Sequence, residues 1–218
     1  MVGNTGSDWG LQLPAPANDP NDPIFAMFER RQTIRDIDPA AALPMQELSN
    51  LLWSAFGINR AVGPFGTTCG RTAGSASNSQ EIDLYVALPD GTYLYDAPNN
   101  RLALVTHSDL RTSALLPVQR EFMDLPIAPV QLFYVVDLHR LTHTSGFDEP
   151  GLHDPEIQKS YYYVDTGLVA GNVYLFAAAH GLAAWFHNCD RDSLAQSLNL
   201  KAEQRVLFAQ SVGYPSVP

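Results

Sequence analysis

Two arginines and a threonine near position 33 have the types and spacing that bind phosphate. They lie in the run Arg31-Gln32-Thr33-Ile34-Arg35, an R-x-[ST]-x-R pattern. Alternate positions of an extended stretch point to the same side, and guanidinium groups present planar forks suited to phosphate, with a hydroxyl between them. The competing interpretation is a solvated basic patch, and the run alone does not separate the two.

A second polar run, SASNSQ at Ser75–Gln80, directly precedes a strand predicted from Ile82. The side chains of Asn78 and Gln80 offer both hydrogen-bond donors and acceptors. Recognition of the edge of a flavin pyrimidine requires that combination. A polar loop closed by its own Asx turns is the competing interpretation, which the run taken alone favours.

The third feature is a predicted helix from Tyr161 to His180, closed by Gly181 and followed by a short strand at Ala183–Phe186. The helix is apolar on nearly every side, which predicts burial on every side. A buried helix that contains glycine and leads into a strand can set a backbone N–H against a ring system. Plain core packing explains the same pattern.

Capping signals and apolar periodicity predict the helices that carry these features. Asp22-Pro23 suits an N-cap followed by proline at the first helical position, in a helix that ends near Arg30. Pro44 opens a second helix, and Gly57 is a natural stop. This second helix carries one apolar stripe, formed by Met45, Leu48, Leu51, Leu52, Ala55 and Phe56.

Alternation and turn signals predict the strands. Ile82–Leu88 alternates, and Asp90-Gly91 signals a hairpin. Pro129–Leu138 is almost continuously apolar, which predicts a central strand covered on both faces. The other predicted elements are strands at Thr92–Tyr95, Leu102–Val105 and Arg205–Val212, a helix capped by Asp190, and long loops at Gly63–Asn78 and His139–Glu156.

In this order and spacing, the three features resemble the FMN-dependent nitroreductase family. The resemblance is closest to the subgroup that includes the azoline dehydrogenases (SagB type) of peptide natural-product pathways. It runs from Ile24 to Pro215, and no single piece of it is specific alone. The most telling stretches are Arg31–Ile37 (RQTIRDI), Leu48–Arg60 (LSNLLWSAFGINR), Arg71–Leu88 (RTAGSASNSQEIDLYVAL), Val164–Leu182 and Arg205–Pro215.

The resemblance implies an α+β, three-layer fold with a central mixed β-sheet flanked by helices. It also implies an obligate, intertwined homodimer with FMN at the interface. Arg31, Thr33 and Arg35, with Gln32 between them, would match the motif for the phosphate and ribityl end. Asn78 would match the asparagine that contacts the flavin. Ser75 and Gln80 lie near Asn78, and Ala184, Trp185 and Phe186 would supply backbone contacts near flavin N5.

The implied function is that of an FMN-dependent oxidoreductase with NAD(P)H as electron donor. The substrate would be a small molecule: a nitroaromatic or quinone reduced in a ping-pong cycle, or an azoline-type heterocycle that is dehydrogenated. No acid–base residue is clearly demanded, because the cofactor carries the redox chemistry.

The alternative is a non-catalytic relative, a binding or assembly partner that kept the fold and lost flavin turnover. Its motivation is Gly74, Ser79 and the end at Pro218. The family often has Pro where this chain has Gly74 and an aromatic residue where it has Ser79. Many members continue past the position of Pro218 and offer a further basic residue to the phosphate.

Length and composition predict one domain at 23–218 after a flexible arm at 1–22. The net charge of −10 argues against nucleic-acid and anionic-membrane partners. No apolar stretch approaches the ~20 residues of a membrane span, and the N-terminus lacks a signal-peptide pattern. We therefore expect a cytoplasmic protein; the alternative is export with the signal peptide removed.

Other site classes lack their motifs. There is no Walker loop, no dinucleotide-binding glycine fingerprint and no G-x-S-x-G elbow. Cys69 and Cys189 stand apart and form no zinc signature. His139 and His143 are four residues apart without an H-E-x-x-H motif. We therefore expect no metal site.

Overall fold

The computed structural model of the chain describes residues 11–19, 21–64, 69–123, 125–145 and 152–216. Within these ranges helices lie on both faces of one large β-sheet. The helices are α1 (Pro23–Arg30), α2 (Met45–Phe56), α3 (Pro117–Met123), α4 (Leu138–Thr142), α5 (Pro155–His180) and α6 (Arg191–Ser197). The strands are β1 (Ile58–Arg60), β2 (Gly70–Arg71), β3 (Ile82–Leu88), β4 (Gly91–Asp96), β5 (Arg101–Thr106), β6 (Val130–Asp137), β7 (Ala183–His187) and β8 (Gln204–Gly213).

The large sheet has six strands in the order β5-β4-β3-β6-β8-β7. The α+β class is confirmed, but the sheet differs from the expected mixed one, because every strand pair in the described ranges is antiparallel. Two short turns reverse the chain between β3, β4 and β5, which makes that meander antiparallel. At the other side of the sheet, β8 lies between β6 and β7 and runs against both.

Strand β6 is central and covered on both faces, as its apolar run predicts. Leu132, Tyr134 and Val136 belong to a core shared with α2 and α5. Phe133 and Val135 belong to a second core on the opposite face, shared with α6. Three layers therefore pack around this strand.

The two N-terminal helices agree with their capping signals. The Asp22 carboxylate accepts a hydrogen bond from the Ile24 N–H at 2.9 Å, and Pro23 opens α1. Helix α2 ends before Gly57 and buries its apolar stripe. Met45 is the exception, with 67% of its surface exposed.

The predicted loop at His139–Glu156 is wrong at both ends. Helix α4 extends to Thr142, and α5 begins at Pro155, six residues before the predicted start. Proline is favoured at the first helical position, where its missing N–H costs nothing, and the Asp154 carboxylate caps the helix through the Glu156 N–H at 2.8 Å. Positions 146–151 of this segment lie outside the described residues.

The predicted loop at Gly63–Asn78 also contains regular structure. Strand β2 pairs antiparallel with β1, and a short 3₁₀ turn follows at Ala76–Asn78. Such short strands carry too few residues to show a period in the sequence. Positions 65–68 of this segment lie outside the described residues.

One face of α5 is open to solvent in the single chain, so the prediction of burial on every side is wrong for it. Val164 is 61% exposed and Leu168 is 48% exposed. Of the described atoms, none lies within 4 Å of a Cβ built at Gly167. We call Tyr163, Val164, Gly167 and Leu168 the open stripe of α5. No helix in the described ranges is both long and apolar enough to cross a membrane.

Candidate functional site

Arg31, Thr33 and Arg35 lie together against β7 and α5, and we call them the arginine cluster. The Arg31 guanidinium lies 5.7 Å from the centre of the Tyr174 ring, and that of Arg35 lies 5.6 Å from the Trp185 ring. Thr33 Oγ1 donates to the Tyr174 hydroxyl at 3.2 Å. The three side chains of the R-x-[ST]-x-R pattern therefore share one neighbourhood, in which Gln32 is exposed.

The segment that carries the arginine cluster is fixed along β7. The Ile34 N–H donates to the Ala184 carbonyl at 3.1 Å, and Ile37 forms an isolated bridge with Pro215. Ala184 and Trp185 are buried, so their side chains pack in the core. The Phe186 N–H donates to the Tyr174 hydroxyl at 2.8 Å, so Tyr174 joins β7 to Thr33.

The electrostatics of the arginine cluster favour an anion. Among the described residues, no carboxylate lies within ion-pair distance of Arg31 or Arg35. The chain as a whole carries a net charge of −10. Two guanidinium groups beside a hydroxyl form a donor set that suits a phosphate group.

Residues Ser75–Gln80 form a compact turn that we call the amide loop. Ser77, Asn78 and Gln80 have φ angles of 47°, 56° and 50°, in the left-handed region that non-glycine residues seldom adopt. The Ser75 hydroxyl accepts a hydrogen bond from the Gln80 N–H at 2.9 Å. Such backbone geometry persists only where the surrounding contacts fix it.

Gln80 fixes the amide loop from inside. Its Oε1 accepts from Arg71 Nε at 2.7 Å, and its Nε2 donates to the Cys69 carbonyl at 2.7 Å and to Asn78 Oδ1 at 3.2 Å. Asn78 Nδ2 also donates to the Cys69 carbonyl. The sequence gives no sign of the part that Arg71 plays. The side-chain amides of Gln80 and Asn78 both make hydrogen bonds within the protein.

Two buried acids support the amide loop from below, and sequence reasoning missed both. Glu81 is fully buried, and its Oε2 accepts from Ser79 Oγ at 2.6 Å. Asp165 of α5 is 5% exposed, and its Oδ2 accepts from the Ala76 N–H at 2.8 Å. Burial, together with the neighbouring Asp165 charge, raises the pKa of Glu81 to about 8, and burial raises the pKa of Asp165.

The arginine cluster and the amide loop contact opposite sides of α5. Tyr174 serves the first and Asp165 the second; these residues are nine positions apart. Nine residues are about two and a half helical turns, or about 14 Å of rise, so the two side chains point in opposite directions. The open stripe extends from the Tyr174 side of the helix towards the Asp165 side, so the arginine cluster and the amide loop are separate features of one chain.

The described residues offer no metal centre, since no group of three or more His, Cys, Asp or Glu side chains could hold an ion. The rings of His139 and His143 contact each other with their centres 4.0 Å apart and their planes tilted by 30°. Cys69 and Cys189 are free thiols.

The chain is similar to one family of known proteins over most of its length. The sequence profile of the nitroreductase family matches residues 28–214. A candidate nitroreductase of Methanocaldococcus jannaschii is 25% identical over 190 residues, which are 84% of this chain and 87% of that protein.

Solved structures agree with this match. The crystal structure of a candidate nitroreductase from Ralstonia eutropha JMP134 is 30% identical, has a TM-score of 0.76, and covers 94% of this chain and 89% of its own. A chain of the E. coli microcin synthetase McbBCD complex, solved with truncated pro-MccB17, has a TM-score of 0.72 at 14% identity. The alignment covers 100% of this chain and 78% of that one. At that identity the likeness shows the fold alone.

Proposed function

The chain belongs to the nitroreductase family of oxidoreductases, and we propose that it is a homodimeric enzyme that binds FMN and takes electrons from NAD(P)H. The observation that carries the proposal is a pair of arginines that have no carboxylate partner among the residues that the structure describes. Arg31 and Arg35 flank the Thr33 hydroxyl, and this set suits the phosphate of FMN. The amide loop, with Asn78, is the counterpart for the flavin ring.

We call the arginine cluster and the amide loop the two half-sites of the proposed FMN site, and their separation supports a dimer. The open stripe of α5 is an apolar surface on a long helix, and such surfaces mark protein contacts. A two-fold axis parallel to α5 would pack two copies of the helix against each other at the open stripe. One flank of each helix would then lie beside the opposite flank of the other helix. The arginine cluster of one subunit and the amide loop of the other would then lie on the same side of the helix pair, about 14 Å apart along its axis, and each FMN would span both subunits.

The chain's own residues bind and orient the cofactor in this proposal. Bound FMN supplies hydride and electron transfer. Arg31, Thr33 and Arg35 hold its phosphate end, and β7, fixed by Tyr174, forms a wall of the site. The proposed substrate classes are nitroaromatics, quinones and azoline-type heterocycles.

The direct test is the visible absorption spectrum of the protein after incubation with FMN and desalting. Retained flavin bands are expected, with one FMN per subunit. A protein that stays colourless at every FMN concentration would contradict the cofactor. It would favour the alternative of a relative that has kept the fold without flavin turnover.

Mixed dimers are expected to reveal that each site is composite. One subunit carries Arg31→Ala with Arg35→Ala, and the other carries Asn78→Gly, which suits the positive φ there. In a composite arrangement the mixed dimer has one intact site and one with both defects. We therefore expect one FMN per mixed dimer with wild-type affinity, measured by fluorescence titration of dimers purified through two different tags. Two weakened sites and no intact one would show that each site lies within one chain.

Gly167→Leu is expected to dissociate the dimer and leave the subunit folded. The single chain has room for the added side chain, but a helix packed on the open stripe would collide with it. The measurement is the mass in solution by light scattering, with circular dichroism to monitor folding. Gln196→Leu, at an exposed position of α6, is the control for an added surface leucine. A dimer that survives Gly167→Leu unchanged would place the interface elsewhere.

A further inference from the structure

No cation in the described part of the chain forms an ion pair with the buried acids below the amide loop, Glu81 and Asp165. Arg140 approaches from α4, but its Nη2 donates to the Glu81 backbone carbonyl at 3.2 Å and pairs with Asp83 Oδ1 at 2.7 Å. Arg71 approaches from β2 and is held by Gln80 and by the Phe56 carbonyl. Asp137, at the end of β6, adds a further carboxylate to this region. The side chains of Glu81 and Asp165 interact with each other, and among the described residues no cation neutralises them.

One oxygen of this pair has no hydrogen-bond partner among the described residues. Glu81 Oε1 is buried and unpaired, whereas Oε2 accepts from Ser79. Two adjacent buried carboxyl groups cannot both be ionised at low cost, so one of them retains a proton. A proton on Glu81 Oε1 makes this atom a donor to the Asp165 carboxylate and removes the unpaired acceptor. The raised pKa of Glu81 agrees with this placement.

Each acid also holds one arm of the amide loop. Asp165 accepts from Ala76 at the beginning of the loop, and Glu81 accepts from Ser79 near its end. Between these anchors lie Ser77 and Asn78, both with positive φ. If the shared proton were lost, repulsion between the carboxylates would pull the two anchors apart, and the strained turn would relax.

We propose that Glu81 and Asp165 share one proton and act as positioning residues, so that the amide loop presents Asn78 to FMN only while this proton is held. The proposal rests on the FMN site proposed above. FMN affinity then depends on pH through a group that touches neither FMN nor substrate. By linkage, FMN binding makes the pair hold its proton more tightly.

The test is the FMN dissociation constant, measured by fluorescence quenching across the pH range around the pKa of Glu81, about 8. Wild-type affinity is expected to fall about tenfold towards alkaline pH, which corresponds to one pKa unit between the FMN-bound and FMN-free chain. Glu81→Gln keeps a donor to Asp165 and an acceptor for Ser79, so it should bind FMN as tightly as the protonated wild type and lack this alkaline loss. Asp165→Asn, which supplies an amide donor to Glu81, should also lack it.

Two comparisons make the result decisive. Titration of FMN itself is common to all variants, so the difference between the wild-type and Glu81→Gln profiles isolates the acid pair. Glu121→Gln, on exposed α3, should follow the wild type. Tight binding with identical profiles in wild type and Glu81→Gln would overturn the role of the pair and leave the FMN site standing. No FMN binding at any pH would overturn both.

Discussion

Replacing Arg31 with alanine is expected to weaken FMN binding about ten- to a hundredfold. A hydrogen bond to a charged group contributes about 1.5–3 kcal/mol, and 1.4 kcal/mol corresponds to a factor of ten. Arg35→Ala should have an effect of the same order, because its guanidinium belongs to the same cluster and no described carboxylate pairs with it. The measurement is a fluorescence titration of the apoprotein with FMN.

Three comparisons separate a phosphate contact from a general effect of charge. Arg31→Lys keeps the charge but loses the planar fork, so it should retain part of the affinity. Arg101→Ala removes an exposed arginine on β5 that pairs with Asp96, and it should bind FMN like the wild type. Added salt should weaken the wild type more than Arg31→Ala, because ions screen exposed charges. Equal FMN affinity in wild type, Arg31→Ala and Arg35→Ala would remove the arginine cluster from the cofactor site.

The contribution of Glu81 to the free energy of unfolding is expected to fall as pH rises from about 4.5 to about 8. The folded chain raises the pKa of this carboxyl from 4.5 to about 8, so it holds the proton more tightly than the unfolded chain. The contribution is therefore complete below the unfolded pKa and is lost as pH passes the folded pKa. A shift of this size corresponds to on the order of 5 kcal/mol.

The contribution of His187 to the free energy of unfolding changes with pH in the opposite direction below about pH 6.5. The effect of Glu81 is therefore measured more clearly above that pH. Burial lowers the pKa of His187 to about 4 from 6.5, so its contribution is present above 6.5 and is lost as pH falls through about 4. Chemical denaturation of the apoprotein between about pH 6.5 and about pH 8 should show a falling stability in the wild type and a flatter curve in Glu81→Gln. Parallel curves would show that the Glu81 carboxyl is ionised in the folded chain.

The parts of the fold that depend on local signals could be predicted from the sequence. Asp22-Pro23 at the start of α1, Asp90-Gly91 between β3 and β4, and Gly181 at the end of α5 each act within a few residues. The apolar run of β6 predicts its central place because both of its faces must be covered. Thr33 and its flanking arginines are close in sequence, so their meeting in space required no knowledge of the rest of the chain.

The support of the amide loop depends on contacts that no local pattern encodes. The hydrogen bond from Ala76 to Asp165 spans 89 residues. An acid next to a strand reads as solvated until the packing of α5 shows that it is buried. Gln80 was expected near the flavin, but Arg71 and Cys69 engage its amide, so we now propose that it positions the loop. The direction of strand pairing also depends on the whole chain.

The opposite placement of the two half-sites on α5 has a consequence for inheritance. In the proposed dimer, a subunit that carries both Arg31→Ala and Asn78→Gly would spoil both sites of any dimer that it enters. Such an allele would be dominant-negative, whereas either single defect would leave one good site in a dimer with a wild-type subunit. Damage to this enzyme in a cell with two gene copies would therefore depend on how the lesions are distributed between the copies.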